Sequence, residues 1–307
     1  MSQILVVAGP TASGKTSLAV RLAKAYGGEV ISADSMQIYQ YMNIASAKPT
    51  EEEKQGIPHH LLDFISPFEP FSVADYVKLA REKIQEILSR GNLPIVAGGT
   101  GLYISSLVDN IEFAEEVPDP MVRNRLFEEA EKNGIEPLYA RLQAIDPEAA
   151  AAIHPNNQKR VIRALEIYET TGLTMTEQNA RSRMTPAPFS SFMLALCPPR
   201  ELLYERINQR VDAMVDEGLF EEAKSLMEMG LTRDMQSMQG IGYKEAFDYL
   251  QGTLSKEDCI EEIKRTTRRY AKRQLTWFRR DARYHWVNPQ EETSMMAAME
   301  AFTWKNP

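Results

Sequence analysis

Short, mostly apolar runs occur at three places in the first third of the chain: Ile4-Leu5-Val6-Val7-Ala8, Glu29-Val30-Ile31-Ser32-Ala33 and Pro94-Ile95-Val96-Ala97. Runs this short and β-branched predict buried strands of a parallel sheet rather than helices. Helical spacing fills the gaps between them. Apolar residues fall at 18, 19, 22 and 23, and again at 73, 77, 80, 84, 87 and 88 in a segment from Phe71 to Leu88 that Gly91 closes. Strand and helix in alternation predict an α/β domain.

Near Phe113 the pattern changes. Asp119-Pro120 has the cap-then-proline order of a helix start, and from there to about Thr185 the periodicity is helical with no convincing strand. Asn156 or Asn157 caps a helix whose predicted core face is Val161, Leu165 and Tyr168. Lys159, Arg160 and Arg163 share another face, where solvated charge is the ordinary reading. Ser191-Phe192-Met193-Leu194-Ala195-Leu196-Cys197 then resumes strand character. The expected organisation is a core of residues 1–112 and 189–287, a helical insertion over 113–188, and a tail, 288–307, that carries no legible signal. A helix predicted from Arg200 to about Met229 has Leu203, Ile207, Val211 and Met214 as its stripe. Arg206 and Arg210 project from one flank. They are either surface charges or arginines that close over a phosphoryl ligand.

The first strand ends at Gly9-Pro10-Thr11-Ala12-Ser13-Gly14-Lys15-Thr16, which fits the phosphate-loop pattern G-x-x-x-x-G-K-[ST] without a mismatch. Glycines let such a loop aim its N–H groups at phosphate oxygens, with a helix N-terminus behind them. Lys15 would neutralise the outer phosphates, and the Thr16 hydroxyl would ligate Mg²⁺. The second strand ends at Asp34-Ser35-Met36-Gln37, beyond the carboxyl edge of the sheet, so Asp34 should face the loop. A carboxylate there can act as a general base or cap the next turn, and position alone does not separate the two. Gly98-Gly99-Thr100-Gly101 follows the third strand. It either brings backbone and the Thr100 hydroxyl near a ligand or makes a tight strand-to-helix turn. His59-His60 reads as structural loop rather than metal site, because adjacent residues of an extended chain face opposite ways and no further ligand lies at suitable spacing. Gln239-Gly240-Ile241-Gly242-Tyr243-Lys244 enters a helix and can hold a phosphate or simply cap it.

Charge adds one feature. The chain of 307 residues carries a net −8, yet Lys264 to Arg283 holds nine basic residues against Asp281 alone. A basic helical stripe on an acidic protein predicts a polyanionic partner. Trp277 and Phe278, at its end, read as core. Cys197 and Cys259 are too few for a disulfide framework and suit a reducing cytosol, and no apolar run is long enough for a membrane span.

Taken together and in order, these blocks resemble the bacterial tRNA dimethylallyltransferase family. The matching residues are Gly9 to Thr16, Asp34 to Tyr39, Pro58 to Leu61 and Gly98 to Tyr103. The match continues through Ile153 to Asn156 with Gln158 to Arg160, Gly240 to Tyr243, and Ala271 to Trp277. The resemblance implies an α/β fold with a P-loop NTPase-like parallel sheet core and an inserted all-helical domain. It implies an enzyme that moves a dimethylallyl group from dimethylallyl pyrophosphate, with Mg²⁺, to the exocyclic amine of the adenosine just 3′ of the anticodon in tRNA; a cytoplasmic monomer is the accompanying expectation, with no residue that fixes the oligomeric state. By the same resemblance Asp34 is the general base, Arg210 stabilises the leaving pyrophosphate, and Thr100 and Arg123 orient the tRNA. Gln37 in the stretch Asp34 to Gln37, then Gln158, Lys159, Arg160, Val161 and Ile162, and Gln239 to Lys244 contact the anticodon stem-loop. A small-molecule kinase would use the same loop for ATP and Asp34 to deprotonate an acceptor hydroxyl, and a transferase acting on free adenine nucleotides shares the core chemistry, but neither needs the basic helix. An RNA-binding module without chemistry is a further alternative, in which Asp34 would be dispensable.

Overall fold

The computed structural model describes residues 2–111, 120–182, 184–300 and 302–304. The expected change of pattern at Phe113 and the Asp119 cap lie outside them. The chain divides into two compact units, residues 1–108 with 188–307 and residues 109–187.

In the first unit, β1 (Ser2–Ala8), β2 (Gly28–Ser32), β3 (His59–His60), β4 (Leu93–Gly98), β5 (Phe189–Leu196) and β6 (Tyr284–Val287) form one parallel sheet in the order β3-β2-β4-β1-β5-β6. β1 is central, with Val6 opposite Val96 of β4 and Met193 of β5. Its alternate side chains feed two cores: Ile4, Val6 and Ala8 enter one, and Leu5 and Val7 the other. That two-sided burial is why the strand reads as a continuous apolar run. Flanking helices are α1 (Lys15–Tyr26), the short α2 (Glu51–Lys54), α3 (Val73–Ser89) and α4 (Gly101–Val108). α3 opens with a capping box between Ser72 and Asp75.

The inserted unit contains α5 (Pro120–Asn133), α6 (Glu136–Ile145), α7 (Pro147–Ala152), α8 (Gln158–Thr171) and α9 (Met175–Arg181). Asn157, not Asn156, caps α8 by accepting from the Arg160 N–H. Val161 and Leu165 are buried as expected, but Tyr168 is 38% exposed. The buried arc turns instead toward Ile162 and the fully buried Glu166, whose Oε2 accepts from Arg123 Nη2 at 3.0 Å and lies 3.1 Å from Arg163 Nη1. Glu169 one turn on pairs with Arg125 and Arg141.

Back in the first unit, the long helix expected over 200–229 is two, α10 (Arg200–Asp216) and α11 (Leu219–Glu228). They break at Gly218, whose φ of +100° a helix cannot continue through. α12 (Tyr243–Leu250) and α13 (Lys256–Phe278) follow. Phe278 is fully buried and Trp277 packs against the same core. In the tail, α14 (Glu292–Glu300) brings Met295 and Met299, with Phe302, onto the sheet face shared by Leu5 and Val7. His59 and His60 form an edge strand rather than a loop, and their role is structural: His60 Nε2 lies 2.6 Å from Glu29 Oε2. Burial alone would raise the Glu29 pKa, but hydrogen bonds from Arg90, Asn92 and His60 together hold it at about 2.

Candidate active site

The loop between β1 and α1 wraps beyond the carboxyl edge of the sheet, where α/β folds bind ligands. At its crest Ala12 has φ +60°, a left-handed conformation that a residue with a Cβ keeps only when its surroundings hold it. Ala12 packs with Leu203 and Ile207 of α10 and Ala271 of α13. Thr11, Lys15 and Thr16 line a cavity of about 330 Å³. Lys15 folds back so that Nζ donates to the Pro10 carbonyl at 2.6 Å. Burial lowers its pKa to about 8, with Asp34 opposing that shift and Arg210 adding to it. The Ser13 hydroxyl, also buried, has no hydrogen-bond partner among the described residues.

Asp34, Ser35, Met36 and Gln37 all line this cavity. Asp34 does cap its own turn, since Oδ1 accepts from the Met36 N–H at 2.9 Å. Its second oxygen accepts no hydrogen bond among the described residues, so capping and cavity-facing roles coexist. Gln37 is committed inward. Its amide donates to the Ala47 carbonyl at 2.9 Å and accepts from Ser32 Oγ at 3.3 Å, which braces the 45–47 loop against the cavity. Thr100 accepts from the Ser35 N–H at 3.0 Å and supports the Asp34 turn from behind.

Two helices close the opposite wall. α10 contributes Ile207, Arg210, Val211 and Met214, so three residues of its expected stripe face the cavity; Arg206 is not among the lining residues. Arg210 is held in the site, and burial pulls its guanidinium below the ordinary value against the carboxylates of Glu53, Asp34 and Glu217. α13 contributes Ile263, Thr267, Tyr270, Arg273 and Gln274. The spacing 263, 267, 270, 274 marks one helical face, a signal in the sequence that the basic residues obscured. Several of those basic residues are spent on protein partners. Lys264 pairs with Asp212 at 2.7 Å, Arg265 with Glu262, and Arg268 donates to Asn208 at 2.6 Å.

A chain with this loop, cavity and basic helix matches known proteins along its length. A family model described as IPP transferase matches residues 37–281, and one described as isopentenyl transferase matches residues 2–69. The curated tRNA dimethylallyltransferase of Acetivibrio thermocellus is 51% identical over 95% of this chain and 93% of its own. The chain belongs to the tRNA dimethylallyltransferase family. Among solved structures, the full-length tRNA isopentenylpyrophosphate transferase of Bacillus halodurans superposes with a TM-score of 0.72 at 46% identity, covering 97% of this chain and 95% of that one. A eukaryotic dimethylallyltransferase, solved acting on tRNA, gives a TM-score of 0.79 at 30% identity over 97% of this chain and 78% of that one.

For a tRNA dimethylallyltransferase-family chain, the remaining expected contacts divide by exposure. Gln239, Gly240 and Ile241 line the cavity. Tyr243 is buried and its hydroxyl donates to Glu222 Oε1 at 2.6 Å, which makes it part of the scaffold; the same carboxylate accepts from the Asn43 and Ile44 N–H groups. Gly242 is buried with its N–H donating to Glu245, and Lys244 is half-buried. In the inserted unit Lys159 and Arg160 are exposed and Gln158 is partly so. Val161 and Ile162 are core residues of that unit, so their side chains cannot reach RNA. Arg123 is engaged by Glu166.

Proposed function

We propose that this protein transfers the dimethylallyl group of dimethylallyl pyrophosphate to the exocyclic amine of the adenosine 3′-adjacent to the anticodon of tRNA, releasing pyrophosphate. The observation that carries the reading is the cavity's chemistry. Lys15 and Arg210 bring half-buried positive charge to the phosphate-loop end of the cavity, while Met36, Ala45, Met214, Ile241 and Ile263 give an apolar lining. α13 spans this range, since Gln274 hydrogen-bonds the phosphate loop and Ile263 lies roughly 16 Å along the helix axis. A pyrophosphate bearing a short hydrocarbon suits such a cavity, and the names of the relatives point to the same donor class and to tRNA.

The adenine amine is a poor nucleophile because its lone pair is delocalised into the ring, so it must lose a proton as the C–N bond forms. Asp34, with one oxygen fixed by Met36 and the other unengaged, takes that proton, and a positioned base contributes ~10²–10⁴ in rate. Lys15, Arg210 and the loop N–H groups stabilise charge on the departing pyrophosphate. The donor set also fits Mg²⁺. Thr16 lines the cavity beside Lys15, and among the described residues no cluster of His, Cys, Asp and Glu would hold a cation without the donor's oxygens. When bound, Mg²⁺ supplies further charge stabilisation to the leaving group. The target base must leave its stack to reach the cavity, which costs least in a loop. Lys159, Arg160, Lys244 and the unpaired basic residues of α13 hold the RNA backbone. Among the described residues no helix is long and apolar enough to cross a membrane.

The test is a transfer assay with Mg²⁺, labelled dimethylallyl pyrophosphate and an unmodified tRNA transcript. Label enters the RNA and is lost when the target adenosine becomes guanosine. No label, with phosphate moved from ATP to a small acceptor, would instead make the protein a kinase.

A further inference from the structure

We infer that Gln274 is a positioning residue for the transfer reaction: one amide sets the phosphate loop at its working distance from the turn that carries the base. The inference rests on the transfer reading above. Gln274 is 6% exposed, and both ends of its amide are used across the sheet edge. Oε1 accepts from the Thr11 N–H at 2.9 Å, and Nε2 donates to the Gly99 carbonyl at 2.9 Å. Thr11 precedes the strained Ala12, so this hydrogen bond helps hold the loop in a conformation it would not keep alone. Gly99 precedes Thr100, whose N–H donates to the Ala33 carbonyl and whose hydroxyl accepts from the Ser35 N–H, on either side of Asp34. The path from phosphate loop to base therefore runs Thr11, Gln274, Gly99, Thr100, Ser35, each link a hydrogen bond or a peptide bond.

The second glycine-rich turn is built for this contact. A Cβ on Gly99 would lie 2.2 Å from Gln274 Nε2, and one on Gly101 would lie 2.3 Å from Trp277 Cδ1. These glycines admit the close approach of α13, one turn of which delivers both Gln274 and Trp277. Gln274 lines the cavity, but its hydrogen bonds go to the loop and to Gly99, so its effect on the donor is exerted through the loop. Displacing a bound donor by about an ångström is enough to cost ~10²-fold in rate.

The experiment compares Gln274→Leu, which loses the hydrogen bonds to Thr11 and Gly99 and the contact with the Tyr270 hydroxyl, with Gln274→Glu. A protonated glutamic acid can still accept from Thr11 and donate to Gly99, whereas the carboxylate can only accept, and burial favours the protonated form. At saturating donor and tRNA, below the melting temperature of each variant, Gln274→Leu should lose at least ~10-fold in kcat at every pH. Gln274→Glu should recover toward the unaltered protein as pH falls from 8 to 6, with the ratio of the two kcat values rising. Affinity for inorganic pyrophosphate with Mg²⁺, measured by calorimetry, should follow the same order. Full kcat in Gln274→Leu with only a lowered melting temperature, or a Gln274→Glu ratio flat in pH, would overturn the inference. Absence of transfer by the unaltered protein, with pyrophosphate affinity still following the variants, would overturn the transfer reading and support the loop-setting role.

Discussion

Cationic side chains occur in two contrasting settings in this molecule. In the inserted unit Arg123 and Arg163 converge on the buried Glu166, and Arg125 and Arg141 on Glu169. In the cavity of the first unit Lys15 and Arg210 are half-buried, and among the described residues neither has a carboxylate within ion-pair distance. Partly desolvated cations with no carboxylate to neutralise them cost a fold stability, so their retention points to a ligand that supplies the missing negative charge. The paired arginines hold helices together. In the function proposed above, the cavity cations await an anion and Asp34 is the group left to handle a proton.

The sharpest way to break this contrast is to alter Asp34. Asp34→Asn keeps an oxygen for the Met36 N–H, so the turn should persist and tRNA affinity should stay within about twofold. Single-turnover transfer should fall by ~10²–10⁴. Equal losses in binding and rate would mean that Asp34 is only a cap. A smaller effect comes from Lys15. Its pKa of about 8 means that the free protein loses this charge as pH rises through 8, so kcat/KM for the donor should fall above that value, approaching tenfold per pH unit. A bound pyrophosphate favours the protonated lysine, so kcat at saturating donor should bend at a higher pH. A donor kcat/KM that rises or stays flat from pH 8 to 9.5 would mean that the cavity does not rely on this cation.

What could be read from sequence follows the same division between local and long-range causes. β1, β2, β4 and β5 were legible because burial on both faces writes them as apolar runs, and the phosphate loop because its spacing is rigid. β6, an edge strand with His285 and Trp286 exposed, leaves no such run. The insertion announces itself by a change of period, but the apolar pattern points to Tyr168 for the buried face, where the structure buries the charged Glu166, paired with Arg123, instead. Gln37, expected from the resemblance to contact the anticodon stem-loop, lines the cavity, yet its amide is spent on the Ala47 carbonyl, which lies on a loop no local pattern links to it. Gln274 was hidden for a related reason. Its partners Thr11 and Gly99 are distant in sequence, and its neighbours on α13 advertise charge.

The most direct measurement combines calorimetry and thermal melting on two arginine variants. With inorganic pyrophosphate and Mg²⁺ as the probe, Arg210→Gln should bind ~10–100-fold more weakly than the unaltered protein while melting at the same or a higher temperature. Arg123→Gln should bind the probe within about twofold and be less stable by about 1–3 kcal/mol, because Glu166 loses a partner while buried. Unchanged pyrophosphate affinity in Arg210→Gln, or affinity lost in Arg123→Gln instead, would contradict the assignment of the cavity's unpaired cations to the donor.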